Sequence, residues 1–300
     1  MIQSEPDLSF ADVRVGALAD AKVAIVGLGL MGGSLAGALR GYCRSVIGVA
    51  RRAETVQEAV ARGLVDRATM DLAEGVAEAD IVVLATPVRI ILRQIAEIGP
   101  LLPAGCLLMD LGSTKGAIVA AMADLPPHIQ PLGGHPMCGK EKSGIEVADL
   151  ALYRERTFIL SPLPRTSERA LALGQALARA VGANALVIEA NRQDYLVGTV
   201  SHLPYLLACT LVSTADATTS SDPLVWQIVA GGYRDTSRVA GSDVTMMVDI
   251  LMTNRDKVGE AMDACMSQMQ RLAHLVAEGD EETLRATLSD IREKRREMFP

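Results

Sequence analysis

Residues 23–39 constrain this chain more than any other segment. The apolar run Val23-Ala24-Ile25-Val26 leads directly into Gly27-Leu28-Gly29-Leu30-Met31-Gly32, and residues 33–39 continue as a helix-like stretch. Strand, glycine turn and helix in that order form the entry to a dinucleotide-binding fold. Gly27 permits the tight turn, Gly29 lets a pyrophosphate approach the backbone, and Gly32 lets the helix pack closely on its strand. Leu30 and Met31 complete the turn, whose free N–H groups face the anion. The expected cofactor is NAD or NADP.

Residues 45–49, 81–85 and 106–110 read as further short buried strands, each followed by a helical pattern. Residues 157–160 and 186–188 read as two last strands around a helix at 167–180. Such alternation predicts a parallel, doubly wound α/β sheet of Rossmann type over residues 1–189. From residue 190 the strand signals stop, and helices are expected at 193–214, 224–230, 243–253, 257–277 and 284–298. Residues 190–300 are thus expected to form an all-helical substrate and dimerisation domain, and the long apolar helix at 193–214 predicts a homodimer.

Composition agrees with that architecture. Apolar residues make up 49% and aromatics 3%, so the core is aliphatic, as in helices packed on a parallel sheet. A net charge of −7 without a Lys/Arg block speaks against a nucleic-acid partner. The five scattered cysteines show no zinc spacing, so reduced thiols and no metal are expected. No signal-peptide pattern opens the chain and no apolar run approaches eighteen residues, which predicts a cytoplasmic protein with no membrane span.

Several residues carry candidate chemistry. The end of the second strand reads Val49-Ala50-Arg51-Arg52, where NAD enzymes usually place a carboxylate for the ribose. Two guanidiniums there suit a 2′-phosphate, favouring NADP over NAD, or they form a solvated surface pair. Thr86 and Pro87 follow the strand at 81–85 and are expected to line the nicotinamide side. His135 lies between a glycine pair and Pro136, held in a tight loop either as a base or as a loop-closing group. His202 precedes Pro204, which should kink the long helix beside a cavity or around a structural histidine. Arg234 and Arg238, four apart, can grip a dianionic substrate or serve in salt bridges.

Taken together, GLGLMGGSL (27–35), the segment 110–115 with its Ser-x-Lys, GGHPM (133–137), SHLP (201–204) and GGYRDTSR (231–238) resemble the prephenate/arogenate dehydrogenase family of tyrosine biosynthesis. The resemblance covers roughly residues 22–254. It implies oxidative decarboxylation of a cyclohexadienol, prephenate or arogenate, by hydride transfer from C4 to the nicotinamide. By the same resemblance His135 takes the C4 hydroxyl proton and Ser113 holds His135 and that hydroxyl in line. Arg238, supported by Arg234, binds substrate carboxylate, and His202 and Tyr205 belong to the substrate site. Two positions depart from the family pattern: Tyr205 replaces a second histidine, and Cys138 replaces a small alanine. With only short stretches at either end, neither a fused chorismate mutase nor a tyrosine-sensing module is expected. A β-hydroxyacid dehydrogenase is the alternative enzyme, but it would need a lysine that residues 190–255 lack. A dinucleotide sensor without catalysis is the non-enzymatic alternative.

Overall fold

A computed structural model describes residues 12–140 and 142–299. The first part runs β1 (Lys22–Val26), α1 (Leu30–Leu39), β2 (Ser45–Val49), α2 (Ala53–Ala61), β3 (Arg67–Thr69), α3 (Leu72–Val76) and β4 (Ile81–Leu84). It continues through α4 (Val88–Ile98), β5 (Leu107–Asp110), α5 (Gly116–Ala123), β6 (Gln130–Pro136), β7 (Thr157–Pro162), α6 (Glu168–Ala180) and β8 (Asn184–Val187). Among the described residues these strands form one eight-stranded sheet in the order β3-β2-β1-β4-β5-β6-β7-β8. The central strands β1, β4 and β5 read as near-continuous aliphatic runs because aliphatic layers cover both faces of the sheet. In α4, Val88, Ile91, Ile95 and Ile98 recur at helical spacing and are the buried positions.

The chain reverses its winding at β1, where β2 and β3 lie on one side and β4 on the other. That switch point opens a crevice at the carboxyl ends of β1 and β4, where such sheets bind ligands. The sheet is not wholly parallel, as the strand–helix alternation predicts: β6 and β7 pair antiparallel, with His135 opposite Ile159. Among the described residues of the connection 137–156 the only helical element is a 3-10 turn at Ile145–Val147, and without a crossover helix the chain returns from the end where β6 stops. Two strands were not legible as strands. β3 is three residues long, and β6 is built from Gln, Pro and Gly, residues that usually mark turns.

By backbone contacts the chain separates into two compact units, one ending at Asn254 and the other beginning at Arg255. The first unit therefore extends past residue 189 to include α7 (Ala190–Val197), α8 (Leu203–Thr219), α9 (Gly231–Ser237) and α10 (Val244–Thr253). A π-helical turn, Gly198–His202, joins α7 to α8 just before Pro204. Pro204 donates no backbone bond and crowds the preceding turn, and the widened turn relieves that conflict. The resulting helix, Ala190–Thr219, spans 30 residues with a mean hydropathy of 1.5 in its most apolar stretch. By length and composition alone it could cross a membrane, which corrects the expectation that no such segment exists. Its Thr residues mask the run letter by letter, yet Thr210, Thr214 and Thr218 spend their hydroxyls on carbonyls one turn back. The second unit is a pair of helices, α11 (Arg255–Glu278) and α12 (Glu281–Met298). Gly279 joins them in a left-handed conformation, and the Asp280 side chain accepts from the Thr283 N–H at 3.0 Å.

Candidate active site

The glycine turn has the geometry that its spacing predicts. Gly27 has φ +100°, and a Cβ there would lie 2.7 Å from Thr86 Cγ2. A Cβ on Gly32 would collide with the Gly27 carbonyl oxygen, so α1 sits against the turn as only glycine allows. Gly29, the residue before α1, faces open space. The helix start carries neither a capping side chain nor an acidic residue in its first turn. Its N–H groups and positive dipole end are thus left for an anion, and the cradle fits a dinucleotide pyrophosphate. Leu30 and Met31 form the first turn of α1, and the Met31 carbonyl accepts from the buried Tyr153 hydroxyl at 2.7 Å. Across the crevice Thr86 donates to Gln94 Oε1 at 2.6 Å, and Pro87 precedes α4. Arg51 and Arg52, beyond β2, are exposed, and no described acidic side chain pairs with either. They stand where the ribose carboxylate of an NAD site would be.

Two strands along, β5 delivers Asp110 and the loop 111–115. Asp110 and Lys115 are fully buried and paired with each other. The carboxylate also accepts the Gly112 N–H at 2.7 Å and the Gly134 N–H at 3.0 Å. Burial raises the Asp110 carboxyl and lowers the Lys115 ammonium, each opposed by the partner's charge.

His135 lies in β6 and not in a tight loop, correcting the reading of its flanking glycines and proline. Gly134 is a strand residue required by close approach, since a Cβ there would strike the Asp110 carbonyl oxygen. His135 is 8% exposed and its Nδ1 is buried without a partner. Burial pushes the imidazole down to about 3, and the charges of Lys115 and His202 act in the same direction. His135 is therefore neutral at physiological pH. Ser113 follows β5 but makes no direct hydrogen bond to His135. Its carbonyl instead accepts from Gln193 Nε2 at 3.2 Å.

His202 is buried at the end of the π turn, near enough to His135 for their charges to interact. Burial lowers it to about 4. Tyr205, on the first turn of α8, is half-buried. Burial and a hydrogen bond with Cys209 raise its hydroxyl. Arg234, on α9, and Arg238, opening the 3-10 turn Arg238–Gly241, are exposed and pack beside α8. The structure thus gathers Ser113, His135 and His202 around one sheet edge and leaves the arginines on the neighbouring helical surface.

Sequence reasoning missed the polar framework beneath these groups. The Asp194 carboxylate accepts the Lys115 and Gly116 N–H groups, both at 2.7 Å, capping α5 from α7. Thr114 and Thr253 hydroxyls meet at 2.8 Å, and Asn254 bonds both Asp194 and His202. No sequence signal marked this framework, because Gln193, Asp194 and Asn254 stand among other polar residues in 191–194 and 254–257.

Comparison with known proteins agrees with this geometry. Residues 35–187 match the family model for the prephenate dehydrogenase nucleotide-binding domain, and residues 189–290 match the prephenate dehydrogenase dimerization domain. A prephenate dehydrogenase of Lactococcus lactis is 33% identical over 88% of this chain and 73% of its own length. A cyclohexadienyl dehydrogenase of Zymomonas mobilis is 30% identical over 86% of this chain and 89% of its own. Among solved structures, prephenate dehydrogenase of Aquifex aeolicus, in complex with hydroxyphenyl propionate and NAD+, superposes with a TM-score of 0.87. It shares 31% identity, covering 92% of this chain and 98% of that one. With a dinucleotide cradle at the switch point and buried histidines on β6 and the π turn, this chain belongs to the prephenate dehydrogenase family of NAD(P)-dependent oxidoreductases.

Proposed function

We propose that this enzyme oxidatively decarboxylates prephenate or arogenate with NADP as the preferred acceptor, and that His135 is its base. The observation that carries this reading is a neutral, buried imidazole with an unpartnered ring nitrogen at the carboxyl edge of the sheet, near the nucleotide crevice. The bound dinucleotide supplies the hydride acceptor. His135 accepts the C4 hydroxyl proton as C4 becomes a carbonyl, and returns it to the phenolate oxygen after the ring carboxylate leaves as CO2. A hydroxyl on a half-oxidised carbon is far more acidic than an alcohol, so even a weakened imidazole can take its proton. Ser113 orients that hydroxyl, and Tyr205, His202, Arg234 and Arg238 hold the rest of the substrate. Thr86 and Pro87 border the nicotinamide. Arg51 and Arg52, exposed and without acidic partners, favour a 2′-phosphate.

In this reading the nucleotide domain ends near residue 189, and the helical remainder pairs two copies into a homodimer. The exposed apolar side chains of α7, α8 and the π turn between them, such as Tyr195, Val200 and Leu207, support burial against a second copy in preference to a bilayer. All five cysteines are free, which supports a cytoplasmic setting, and the net charge of −7 speaks against a nucleic-acid partner. The deciding assay measures NADH or NADPH formation with prephenate and arogenate, each with NAD and NADP. Turnover is expected with at least one substrate and a higher kcat/KM with NADP. No turnover with either substrate would overturn the reaction, and equal use of NAD would overturn the cofactor preference.

A further inference from the structure

We infer that Asn254 is a positioning residue that fixes the tautomer of His202, making that histidine a hydrogen-bond donor to a substrate oxygen. The inference rests on the active-site reading above. Asn254 ends α10 and is 5% exposed. Its side-chain nitrogen lies 2.8 Å from the Asp194 carbonyl oxygen and 3.2 Å from His202 Nδ1. A backbone carbonyl only accepts, so the atom facing it must be the amide nitrogen and not the amide oxygen. The same NH2 group donates its other hydrogen to His202, and Nδ1 is therefore the accepting, unprotonated ring nitrogen. In a neutral imidazole the proton must then sit on Nε2. No described protein acceptor takes that proton.

The anchor is rigid for a physical reason. The Asp194 carboxylate caps α5 while its carbonyl holds Asn254, so the amide cannot rotate without breaking its bond to α7, which is itself tied to the start of α5. Asp194 itself is 5% exposed. The two buried histidines thereby take opposite parts. His135 presents an acceptor to a hydroxyl, and His202 presents an N–H to an oxygen acceptor, the chemistry of a substrate carboxylate or carbonyl. A donor in a buried site favours substrate over water and adds to binding more than to proton transfer.

The test begins with the ligand-free full-length protein and long-range 15N–1H correlation spectra at neutral pH, with His202 assigned through His202→Gln. The expected result is an Nε2–H tautomer with an acceptor-type Nδ1 shift. An Nδ1–H tautomer would overturn the inference without any substrate being involved. Asn254→Ala should release the ring toward a mixed tautomer and raise KM for prephenate about ten- to a hundredfold, with a much smaller change in kcat. An unchanged KM, or a loss confined to kcat, would remove His202 as a donor to substrate. Should Asn254→Ala not fold, the parent spectrum still decides the tautomer. If the parent protein oxidises neither prephenate nor arogenate, the reaction assignment fails while the tautomer result stands by itself.

Discussion

His135 combines burial with an unpartnered ring nitrogen, and that pairing sets the sharpest expectations at the residue scale. Replacing it with Asn, which hydrogen-bonds but takes up no proton at neutral pH, should lower kcat by about 10²- to 10⁴-fold. Dinucleotide affinity should barely move, because the cradle at Gly27, Gly29 and Gly32 is untouched. Near-normal kcat in His135→Asn would remove the residue from the mechanism. An isolated imidazole would place the acid limb of the rate profile at about 6.5. Burial and the Lys115 charge hold His135 at about 3, so activity should stay flat well below 6 before falling. A limb centred at 6.5 would mean that this histidine is not the titrating base. Arg51→Ala is expected to weaken NADP binding about ten- to a hundredfold and leave NAD nearly unchanged, as comparative cofactor titrations would show.

At the scale of elements, the turn from β5 into α5 encloses a fully buried ion pair. Asp110 and Lys115 have no exposure, and removing one partner leaves the other charge buried alone. Lys115→Met is expected to destabilise the protein by about 3–5 kcal/mol in urea unfolding, and Asp110→Asn combined with it should recover much of that loss. A single variant as stable as the parent would show that the pair is not held as ions. Because Lys115 depresses His135, the folded Lys115→Met protein should also shift the acid limb upward. The same turn explains why Gly133-Gly134 is legible as a loop yet forms a strand. Gly134 lets β6 pass the Asp110 carbonyl, a contact between segments over twenty residues apart, and Gly133 lies close to Ser161 and Lys115.

Over the whole molecule, two buried histidines make stability depend on pH. Their folded values, about 3 for His135 and about 4 for His202, lie below the ordinary 6.5. Below 6.5 the unfolded chain binds protons that the folded chain refuses. Their contribution is therefore fully present above 6.5 and is lost as pH falls toward 4 and then 3. Each group adds a slope of up to ~1.4 kcal/mol per pH unit in that window. Urea midpoints between pH 7 and 4 should drop, and less steeply in a folded His135→Asn variant. An identical slope in both proteins would exclude His135 as a source. For assembly, sedimentation at micromolar concentration should give a dimer of the 31.8 kDa chain. A stable monomer would leave the apolar side chains of α7 and α8 without a cover.

Local patterns determined much of this protein. The strand–glycine–helix order at 22–39, the aliphatic strands β4 and β5, and the helical stripe of α4 all depend on residues close in sequence. The need for glycine at 27 and 32 is legible before any coordinates because backbone sterics at that turn dictate it. Candidate residues Ser113, His135 and His202 were legible for a different reason: polar groups at strand ends or beside a helix-breaking proline stand out from an apolar background. Tertiary structure alone decided the antiparallel return of β7, the strand identity of β6 and the depressed imidazoles. It also decided the bond from Asn254 to His202. Each depends on which distant segments exclude water from one another, and both desolvation and hydrogen-bond partnership are set by neighbours in space that sequence spacing does not encode.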